Sequence, residues 1–400
     1  MMKRFFIRTF SSKRAIIIGA GLSGPLSALF LKQANIESII FEKENFQPDN
    51  SGIPLIIPTN GAKILNHIDI YHQIKAFSFP LNKKIYWNYK NKLKIIDESD
   101  NEAKYGAESI IIKKSRLHKA ILNELNLQGI KIHYEKEISH IENTEKSLKV
   151  IFKDNSEVEG DFLIGSDGTF SQVRNIIFPN FPSPVYDKTV RFCGFSTCPT
   201  SPNTADYNVL ICREGVFSFK NTAKDQVYWT ATIHSHISPE KNLNNNYISA
   251  DEWKHKLIGT FAKDAIFIKD IIFSTVDNIG IYPVYNLSMP EKWYDGRVCL
   301  IGDAAHSISP FSLQEASLGF EDAFLLAKCL KMNEISEGFQ KFEDMRKLRT
   351  KKIITFADLA YASFKSRGLK GFLQREFIFP YYAKRILLEN PQIYSYNFDF

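Results

Sequence analysis

Cysteines are scarce in this sequence, and their arrangement suggests neither a disulfide framework nor a metal site. The 400 residues include five cysteines, and no Cys-x-x-Cys pair occurs. An odd number without metal-ligand spacing argues against structural disulfides and structural zinc. We therefore predict no metal site and a reducing compartment.

Long apolar runs and blocks of like charge are also missing. No stretch of about 18 apolar residues occurs, so the sequence predicts no transmembrane segment. The formal net charge is +7, but the lysines and arginines are spread along the chain. Nucleic acid is therefore not an expected partner, and the modest positive charge suits an anionic cofactor or substrate.

The first 14 residues differ in composition from the rest of the chain. Residues 1–14 contain five basic side chains, three phenylalanines, two serines and no acid. This composition is similar to that of a mitochondrial presequence, but it also fits a short basic tail before the first strand. We expect a cytoplasmic location, with a mitochondrial one as the alternative.

Hydrophobic patterning predicts a strand–helix–strand unit near the start of the chain. Ala15 to Ile18 is a short apolar run typical of a buried parallel strand. A glycine-rich turn follows, then helical spacing from Pro25 to Gln33 and a second apolar strand from Ser38 to Phe41. Later patterns predict strands at Lys84–Ile96, Lys131–Tyr134, Ser147–Phe152, Phe162–Ile164 and Val298–Ile301, helices at Ser115–Leu127, Gln314–Lys331 and Glu334–Tyr361, and an antiparallel sheet across Val190–Tyr285.

The turn after the first strand has the glycine spacing of a dinucleotide site. Its sequence is Gly19-Ala20-Gly21-Leu22-Ser23-Gly24. The glycines permit a sharp turn, close approach of a pyrophosphate and close helix–strand packing, and the helix N-terminus favours the phosphate charge. Glu42 lies eighteen residues beyond Gly24, at the end of the second strand, where it can accept hydrogen bonds from a ribose. We assign these residues and the adjacent Lys43 to a cofactor site.

Three further segments extend this pattern. Residues 165–174 contain Asp167, and residues 296–306 contain Gly302 and Asp303 directly after a predicted strand. Ligands bind at the carboxyl ends of strands in open α/β sheets, so the Asp303 carboxylate is well placed to accept hydrogen bonds from a cofactor. The third segment consists of Phe339, Phe342, Glu343, Arg346 and Arg349.

Together these motifs resemble the single-component flavoprotein aromatic hydroxylases, the family that includes para-hydroxybenzoate hydroxylase and salicylate hydroxylase. The resemblance extends from about Arg14 to about Arg349. It implies that FAD is the cofactor, that Asp303 binds its ribityl and pyrophosphate region, and that the segment around Asp167 helps to hold FAD and to engage NAD(P)H. No second Gly-x-Gly-x-x-Gly occurs, which favours transient NAD(P)H binding over a separate NAD domain.

The sequence departs from the family pattern in the loop that the resemblance places against the flavin ring. The family usually has Pro-x-x-Gly-Gln-Gly-Ala where this sequence has Pro310-Phe311-Ser312-Leu313-Gln314-Glu315-Ala316. Leu313 therefore replaces a glycine at a left-handed position. A Glu315 carboxylate would oppose negative charge on reduced flavin unless it were protonated or ion-paired. We assign Pro310, Leu313, Glu315 and Ala316 to the cofactor site.

Three other side chains have less direct roles in the expected site. Lys114 stands three residues before a leucine, where the family tends to have arginine; it keeps the charge but not the planar donor group, and we assign it to the cofactor site. His306 is a candidate for catalysis, although a histidine beside a flavin edge is more often structural. Arg346 and Arg349 are expected ion-pair partners on a helix face.

The predicted architecture is an α/β fold with a Rossmann-like FAD-binding domain, an inserted antiparallel β-sheet substrate domain and a C-terminal helical segment. The expected boundaries are a leader or tail at 1–14, the FAD-binding domain at 15–75, 105–180 and 286–350, the substrate domain at 76–104 and 181–285, and the helical segment at 351–400.

The resemblance implies an FAD-dependent monooxygenase that uses NAD(P)H and O2. It would hydroxylate a small organic substrate, aromatic or polycyclic, through a flavin C4a-hydroperoxide. Because Leu313 and Glu315 replace loop glycines, two alternatives stay open: an FAD-dependent oxidase or dehydrogenase on the same fold, and a non-catalytic flavin-binding protein. The basic, aromatic C-terminal tail is expected to pack against the FAD domain, with contact to a membrane surface as the alternative.

Overall fold

A computed structural model describes most of the chain. The described residues are 13–45, 54–81, 83–88, 93–98, 101–144, 147–198, 202, 205–223, 226–236, 238–239, 250–276, 279–308, 313–365, 373 and 377. Most of the expected leader, Pro310 and most of the chain after residue 365 lie outside the described residues. The expectations for those segments stay predictions.

Strands and helices alternate in the N-terminal part of the chain, and strands dominate its middle. The strands are β1 (Arg14–Ile18), β2 (Glu37–Phe41), β3 (Pro54–Ile57), β4 (Ser78–Pro80), β5 (Lys83–Asn88), β6 (Leu93–Glu98), β7 (Ile110–Lys113), β8 (Ile132–His133), β9 (Ile138–Asn143), β10 (Leu148–Phe152), β11 (Glu157–Gly160), β12 (Phe162–Gly165), β13 (Val185–Thr197), β14 (Tyr207–Ile211), β15 (Gly215–Ala223), β16 (Gln226–His234), β17 (Gly280–Asn286), β18 (Tyr294–Asp295) and β19 (Val298–Leu300). The helices are α1 (Ser23–Gln33), α2 (Thr59–Asn66), α3 (Ile70–Lys75), α4 (Asn101–Tyr105), α5 (Lys114–Leu127), α6 (Gln172–Ile177), α7 (Ala250–Thr260), α8 (Ile266–Phe273), α9 (Asp303–His306), α10 (Glu315–Met332) and α11 (Ile335–Lys365).

A mostly parallel six-stranded sheet carries the nucleotide-binding motifs. Its strand order is β18-β19-β12-β1-β2-β8, and its pairs are parallel except for β18 with β19. The side chains from Ala15 to Ile17 are fully buried, as expected for a central parallel strand. The predicted strand–helix–strand unit is confirmed, and α1 begins at Ser23, two residues before the predicted Pro25.

A seven-stranded sheet forms the β-rich part of the molecule, in the order β17-β13-β16-β15-β14-β5-β6. Phe192, Phe217 and Trp229 point from one face into a core shared with Trp253 of α7 and Ile268 of α8. The prediction of an antiparallel sheet across Val190–Tyr285 missed both helices. The sequence of α8 is almost entirely apolar, and a short apolar run does not distinguish a strand from a buried helix.

The other face of this sheet packs against a small three-stranded sheet of order β3-β7-β4. Tyr86, Phe195 and Tyr228 of the large sheet share a core with Ile56 of β3 and Ile111 of β7. The strands of the large sheet, β5, β6 and β13 to β17, fall in the regions expected for the substrate domain except for Asn286 at the end of β17. This membership supports the expected domain boundaries, which we retain as a proposal.

The chain continues after the sheets as a helical segment. The long helices α10 and α11 follow each other along the chain, and Phe339 and Phe342 of α11 lie in the main core beside the six-stranded sheet. No helix within the described residues is long and apolar enough to cross a membrane.

Candidate flavin site

The glycine turn is packed so closely that two of its glycines leave no room for a side chain. Gly19 has a φ of 104°, and a Cβ added there would lie 2.5 Å from the Ser166 carbonyl oxygen. A Cβ added to Gly24 would lie 2.1 Å from the Gly19 carbonyl oxygen. These two glycines therefore provide the sharp turn and the close helix–strand packing that the motif requires.

Gly21 has the opposite environment. It is exposed, and a Cβ added there would meet nothing within 4 Å. Within the described residues, no side chain caps the N-terminus of α1, where Leu22 is the N-cap residue. The first N–H groups of α1 are thus available to an anion, and the helix dipole favours one. Open space beside these N–H groups fits the pyrophosphate of a dinucleotide.

Glu42 is hydrogen-bonded to the same turn. Its Oε2 accepts from the Ala20 N–H at 2.7 Å, and its Oε1 accepts from the Glu44 N–H at 3.0 Å. A carboxylate has about four lone-pair sites, so Glu42 keeps acceptor capacity for a ribose. Lys43 lies beside it, with its Nζ 3.5 Å from the Glu44 Oε1.

Helix α5 places Lys114 on the cofactor side. His118 Nε2 lies 2.9 Å from the Ala20 carbonyl oxygen, which holds the start of α5 against the glycine turn. Lys114 is close enough to Asp303 to favour its ionised form. Arg116 instead lies over the ring of Phe77, with its guanidinium 5.1 Å from the ring centre.

The Asp167 carboxylate caps helix α6. It accepts from the N–H groups of Gln172 and Val173 at 2.7 and 3.1 Å, and from the Ser171 hydroxyl at 2.5 Å. These bonds use most of its acceptor capacity. The geometry therefore favours a positioning role for Asp167 over direct contact of its carboxylate with the cofactor.

Arg174, which the sequence analysis did not single out, joins this segment to the Gly-Asp motif. The side chain is fully buried. Its Nη1 donates to the Ala304 carbonyl at 2.9 Å, and its Nη2 donates to the Thr169 carbonyl at 2.7 Å. The sole sequence signal was the position of Arg174 at the end of the 165–174 motif.

Strand β19 places Gly302 and Asp303 at the carboxyl edge of the parallel sheet. Gly302 has φ 57° and ψ −142°, a conformation that is essentially restricted to glycine. Asp303 is exposed although its neighbours Gly302 and Ala304 are buried. The protein around the carboxyl nevertheless desolvates it, which raises its pKa. An exposed but partly desolvated carboxyl is what the wall of an open cleft would provide.

His306 supports this motif through Asp322. The buried imidazole Nε2 lies 2.5 Å from the Asp322 Oδ2, which also accepts from the Gly302 N–H at 2.8 Å. Burial opposes ionisation of Asp322, but His306 and Arg346 outweigh it and lower its pKa to about 2. Because Asp322 is ionised, Nε2 is the donor. This geometry supports a structural role for His306.

Two acids of α10 and two arginines of α11 form a buried ion-pair network. Arg346 donates from Nε to the Asp322 Oδ1 at 2.6 Å and from Nη1 to Glu321. Arg349 donates to both carboxylate oxygens of Glu321, at 2.6 and 2.8 Å, and Asn60 adds a bond of 2.8 Å to the same group. The arginines are ion-pair partners as expected, but they connect two helices instead of pairing along one helix face.

The loop with the two replaced glycines keeps a left-handed residue. Leu313 has a φ of 57°, which costs a non-glycine residue about 1–2 kcal/mol. Its side chain packs against the core that contains Phe195 and Tyr228, and this contact offsets part of the cost. Ala316 packs against the main core.

Glu315 begins α10 and faces the large sheet. Its Oε1 lies 3.8 Å from Nη1 of Arg191 on β13. Burial raises the pKa of Glu315 to about 7, although Arg191 acts in the opposite direction. Two features therefore reduce the repulsion between the Glu315 carboxylate and a reduced flavin. Glu315 is ion-paired with Arg191, and it becomes protonated near neutral pH.

Residues 13–357 match the protein-family model described as FAD binding domain. The chain belongs to this family of FAD-dependent monooxygenases. FAD is its cofactor, and NAD(P)H is the typical electron donor of the family.

Curated relatives carry related names, and a solved structure shares the fold. The FAD-dependent monooxygenase esdpE of Penicillium shearii is 23% identical over 340 residues, which cover 80% of this chain and 68% of that protein. The 6-hydroxynicotinate 3-monooxygenase of Bordetella bronchiseptica is 22% identical over 356 residues, which cover 85% and 89%. The structure of Klebsiella pneumoniae HpxO with FAD and uric acid has a TM-score of 0.81 at 19% identity, covering 94% of this chain and 95% of that one.

We expect Asp303→Ala to weaken FAD binding without unfolding the protein. The side chain is exposed, so the apoprotein loses little, whereas FAD loses a charge-assisted hydrogen bond of about 1.5–3 kcal/mol. Equilibrium dialysis should show an affinity roughly ten- to a hundredfold lower. Asp295→Ala, at an exposed position next to β19, is the matched control. Equal FAD affinity in the Asp303 variant and the wild type would show that the motif is assigned wrongly.

We expect Glu315→Gln to raise the reduction potential of bound FAD above pH 7 and to leave it unchanged well below pH 7. The pKa of Glu315 is about 7, so only at higher pH does the wild type carry a negative charge that opposes the reduced flavin. A nearby like charge can shift the pKa of the reduced flavin by about one unit. The same interaction energy changes the reduction potential of a two-electron couple by roughly 30 mV. Reductive titration against a reference dye at two pH values measures the effect, and a pH-independent difference would contradict it.

Proposed function

We propose that the protein is a monooxygenase that uses NAD(P)H and O2 to hydroxylate a small aromatic substrate. The observation that carries this proposal is the position of Glu315, which lies 3.8 Å from Arg191 on the aromatic face of the large sheet. A partly exposed charged pair beside aromatic side chains is the combination of groups that a planar, polar substrate needs. The proposed FAD site consists of Gly19, Ala20, Gly21, Leu22, Ser23, Gly24, Glu42, Lys43, Lys114, Asp167, Gly302, Asp303, Pro310, Leu313, Glu315 and Ala316. Among these, the Asp167 carboxylate is proposed to position the site through α6.

Strand alternation places these side chains on one face. Arg191 and Phe195 are four positions apart on β13, so both point away from the core that contains Phe192. Phe195 pairs with Tyr228 of β16, with ring centres 5.8 Å apart. The Tyr207 ring lies parallel to Tyr228 within 23°, at 6.4 Å. These rings are buried in the core shared with β3 and β7, beside the Arg191–Glu315 pair.

The protein residues bind, orient and exclude water, while bound FAD supplies the redox and oxygen-transfer chemistry. Burial raises the pKa of Tyr228 well above its ordinary value, so its hydroxyl stays a hydrogen-bond donor. Relatives include an enzyme named for 6-hydroxynicotinate and a structure that contains uric acid. By analogy, we propose a hydroxylated or oxo-substituted aromatic ring as the substrate.

The test is a substrate screen with the purified yellow holoprotein. Phenols, hydroxypyridines and purines are added with NADH or NADPH, and nucleotide oxidation, hydroxylated product and hydrogen peroxide are measured. We expect one compound class to accelerate NAD(P)H oxidation and to yield a matching amount of hydroxylated product. Peroxide without hydroxylated product would favour an oxidase, and failure of NAD(P)H to reduce the flavin would favour a flavin-binding role.

We also propose a cytoplasmic location. Five cysteines are buried and free, which suits a reducing compartment. Detection of the full-length chain in a cytosolic fraction would support this location, and recovery of a shortened chain from mitochondria would contradict it.

A further inference from the structure

We propose that Glu315 and Arg191 form a proton-accepting subsite for a substrate with an acidic O–H or N–H group, such as a phenol, a hydroxypyridine or a cyclic imide. This inference rests on the proposed function and deepens it. In the step, the O–H or N–H bond of the substrate breaks, its electron pair stays on the substrate, and the proton moves to a Glu315 carboxylate oxygen. Arg191, released from its ion pair, then stabilises the substrate anion.

The position of the pair supports this assignment. Glu315 is near both the Gly-Asp motif and the large sheet, since Asp303 influences its ionisation and Arg191 of β13 lies 3.8 Å away. The Glu315 side chain is 30% exposed and the Arg191 side chain 20%, so neither is sealed in a core. Their 3.8 Å separation is longer than a good charged hydrogen bond. An inserted hydroxyl can therefore improve the contacts of both groups.

The electrostatics suit a proton acceptor near neutral pH. Desolvation and, to a smaller extent, the Asp303 carboxylate raise the pKa of Glu315 while Arg191 lowers it, and the net result is a pKa of about 7. Lys114 moderates the Asp303 charge. A base with a pKa near the working pH is best matched to accept and return a proton. Arg191 keeps its charge throughout, because a guanidinium is not deprotonated in proteins.

Removing a proton from the substrate would make its ring more reactive towards oxygen transfer. Oxygen transfer to an aromatic ring needs an electron-rich ring, and ionising a ring hydroxyl raises its electron density. A phenol has a pKa of about 10, so an unassisted phenol stays neutral near pH 7. Glu315 is therefore more than a bulky replacement of a loop glycine. It provides a proton acceptor, whereas the tyrosines and the arginine on the sheet are already protonated.

A binding experiment with the oxidised holoprotein tests the subsite without turnover. The probe is 2-fluorophenol, whose ¹⁹F shift distinguishes phenol from phenolate. It is added at about pH 7.5, above the pKa of Glu315 and below that of the phenol. Calorimetry in two buffers of different ionisation enthalpy counts the protons released. Wild type should bind the phenolate with no net proton release, because the proton stays on Glu315.

The variants locate the proton. In Glu315→Gln the acceptor is gone, so the probe should bind as neutral phenol or should release about one proton to the buffer. The control Glu337→Gln changes another first-turn helix acid, whose ion pair with Lys341 is on the surface, and it should behave as wild type. Neutral phenol in the wild type, phenolate bound by the wild type with release of about one proton to the buffer, phenolate bound by Glu315→Gln without proton release, or no saturable binding would each overturn the subsite. Because no NAD(P)H is added, the failure of monooxygenase turnover is a separate result.

Discussion

Gly21→Ala is expected to remove most of the FAD affinity while leaving the apoprotein at least as stable as the wild type. A Cβ at Gly21 meets no protein atom within 4 Å, and its φ is not in the left-handed region. Reduced chain entropy in the unfolded state then makes the substitution neutral or stabilising by about 0.4–1 kcal/mol. The same methyl group occupies the space beside the α1 N-terminus that the pyrophosphate needs. Overpacking typically costs about 1–3 kcal/mol, which corresponds to roughly 5- to 150-fold in affinity.

Gly24→Ala is the matched comparison, because it makes the same chemical change three residues later in a filled space. Its Cβ would lie 2.1 Å from the Gly19 carbonyl oxygen and 2.6 Å from the Ser166 hydroxyl oxygen. We expect this variant to lower both apoprotein stability and FAD retention. Thermal unfolding of the apoproteins measures the effect of each substitution on stability, and FAD titration measures its effect on affinity. Together they distinguish the roles of the two glycines. Loss of apoprotein stability in Gly21→Ala, or unchanged FAD affinity, would contradict the placement of the pyrophosphate.

Arg346→Met is expected to lower the free energy of unfolding by about 3–5 kcal/mol. The guanidinium is fully buried and bonded to Asp322 and Glu321, so its removal deprives two buried carboxylates of the counter-charge that they share. The measurement is urea unfolding of the apoprotein near pH 7. Lys341→Ala breaks the exposed pair with Glu337 and should cost no more than about 1 kcal/mol. A loss below that value for Arg346→Met would show that the network is not a main source of stability.

The pH dependence of the stability difference between wild type and Arg346→Met tests whether lost charge pairing causes it. The pKa of Asp322 is lowered to about 2 in the folded protein, against about 3.9 in the unfolded chain. Its stabilising contribution is therefore present above about pH 3.9 and is lost as the pH falls through about 2. Without Arg346 the carboxylates ionise less readily. The stability gap between wild type and variant should thus narrow as the pH falls from 7 towards 3, and a constant gap would indicate lost packing instead of lost charge pairing.

The sequence alone identified the parts of the site that depend on local backbone geometry. The glycine turn, the acid at the end of β2 and the Gly-Asp motif after β19 lie next to strand ends. Parallel strands bring their carboxyl ends to one edge whatever the rest of the fold does. The left-handed conformation expected at position 313 is also present, in Leu313 itself. These features follow from spacing along the chain, because the required φ values and the close approaches involve near neighbours or adjacent strands.

Tertiary structure alone decided which charged groups meet. Arg191 and Glu315 are more than a hundred residues apart in the sequence, and no periodicity links β13 to the start of α10. Arg346 and Arg349 could have paired along one helix, but packing of α11 against α10 brings them to Glu321 and Asp322. Helix α8 escaped prediction because it exposes the apolar Ile266 and Phe273 as well as burying Ile268 and Ile271, so its sequence carries no clear amphipathic pattern. Long-range charge pairing and burial depend on how elements pack, and that information is not present in any local stretch of sequence.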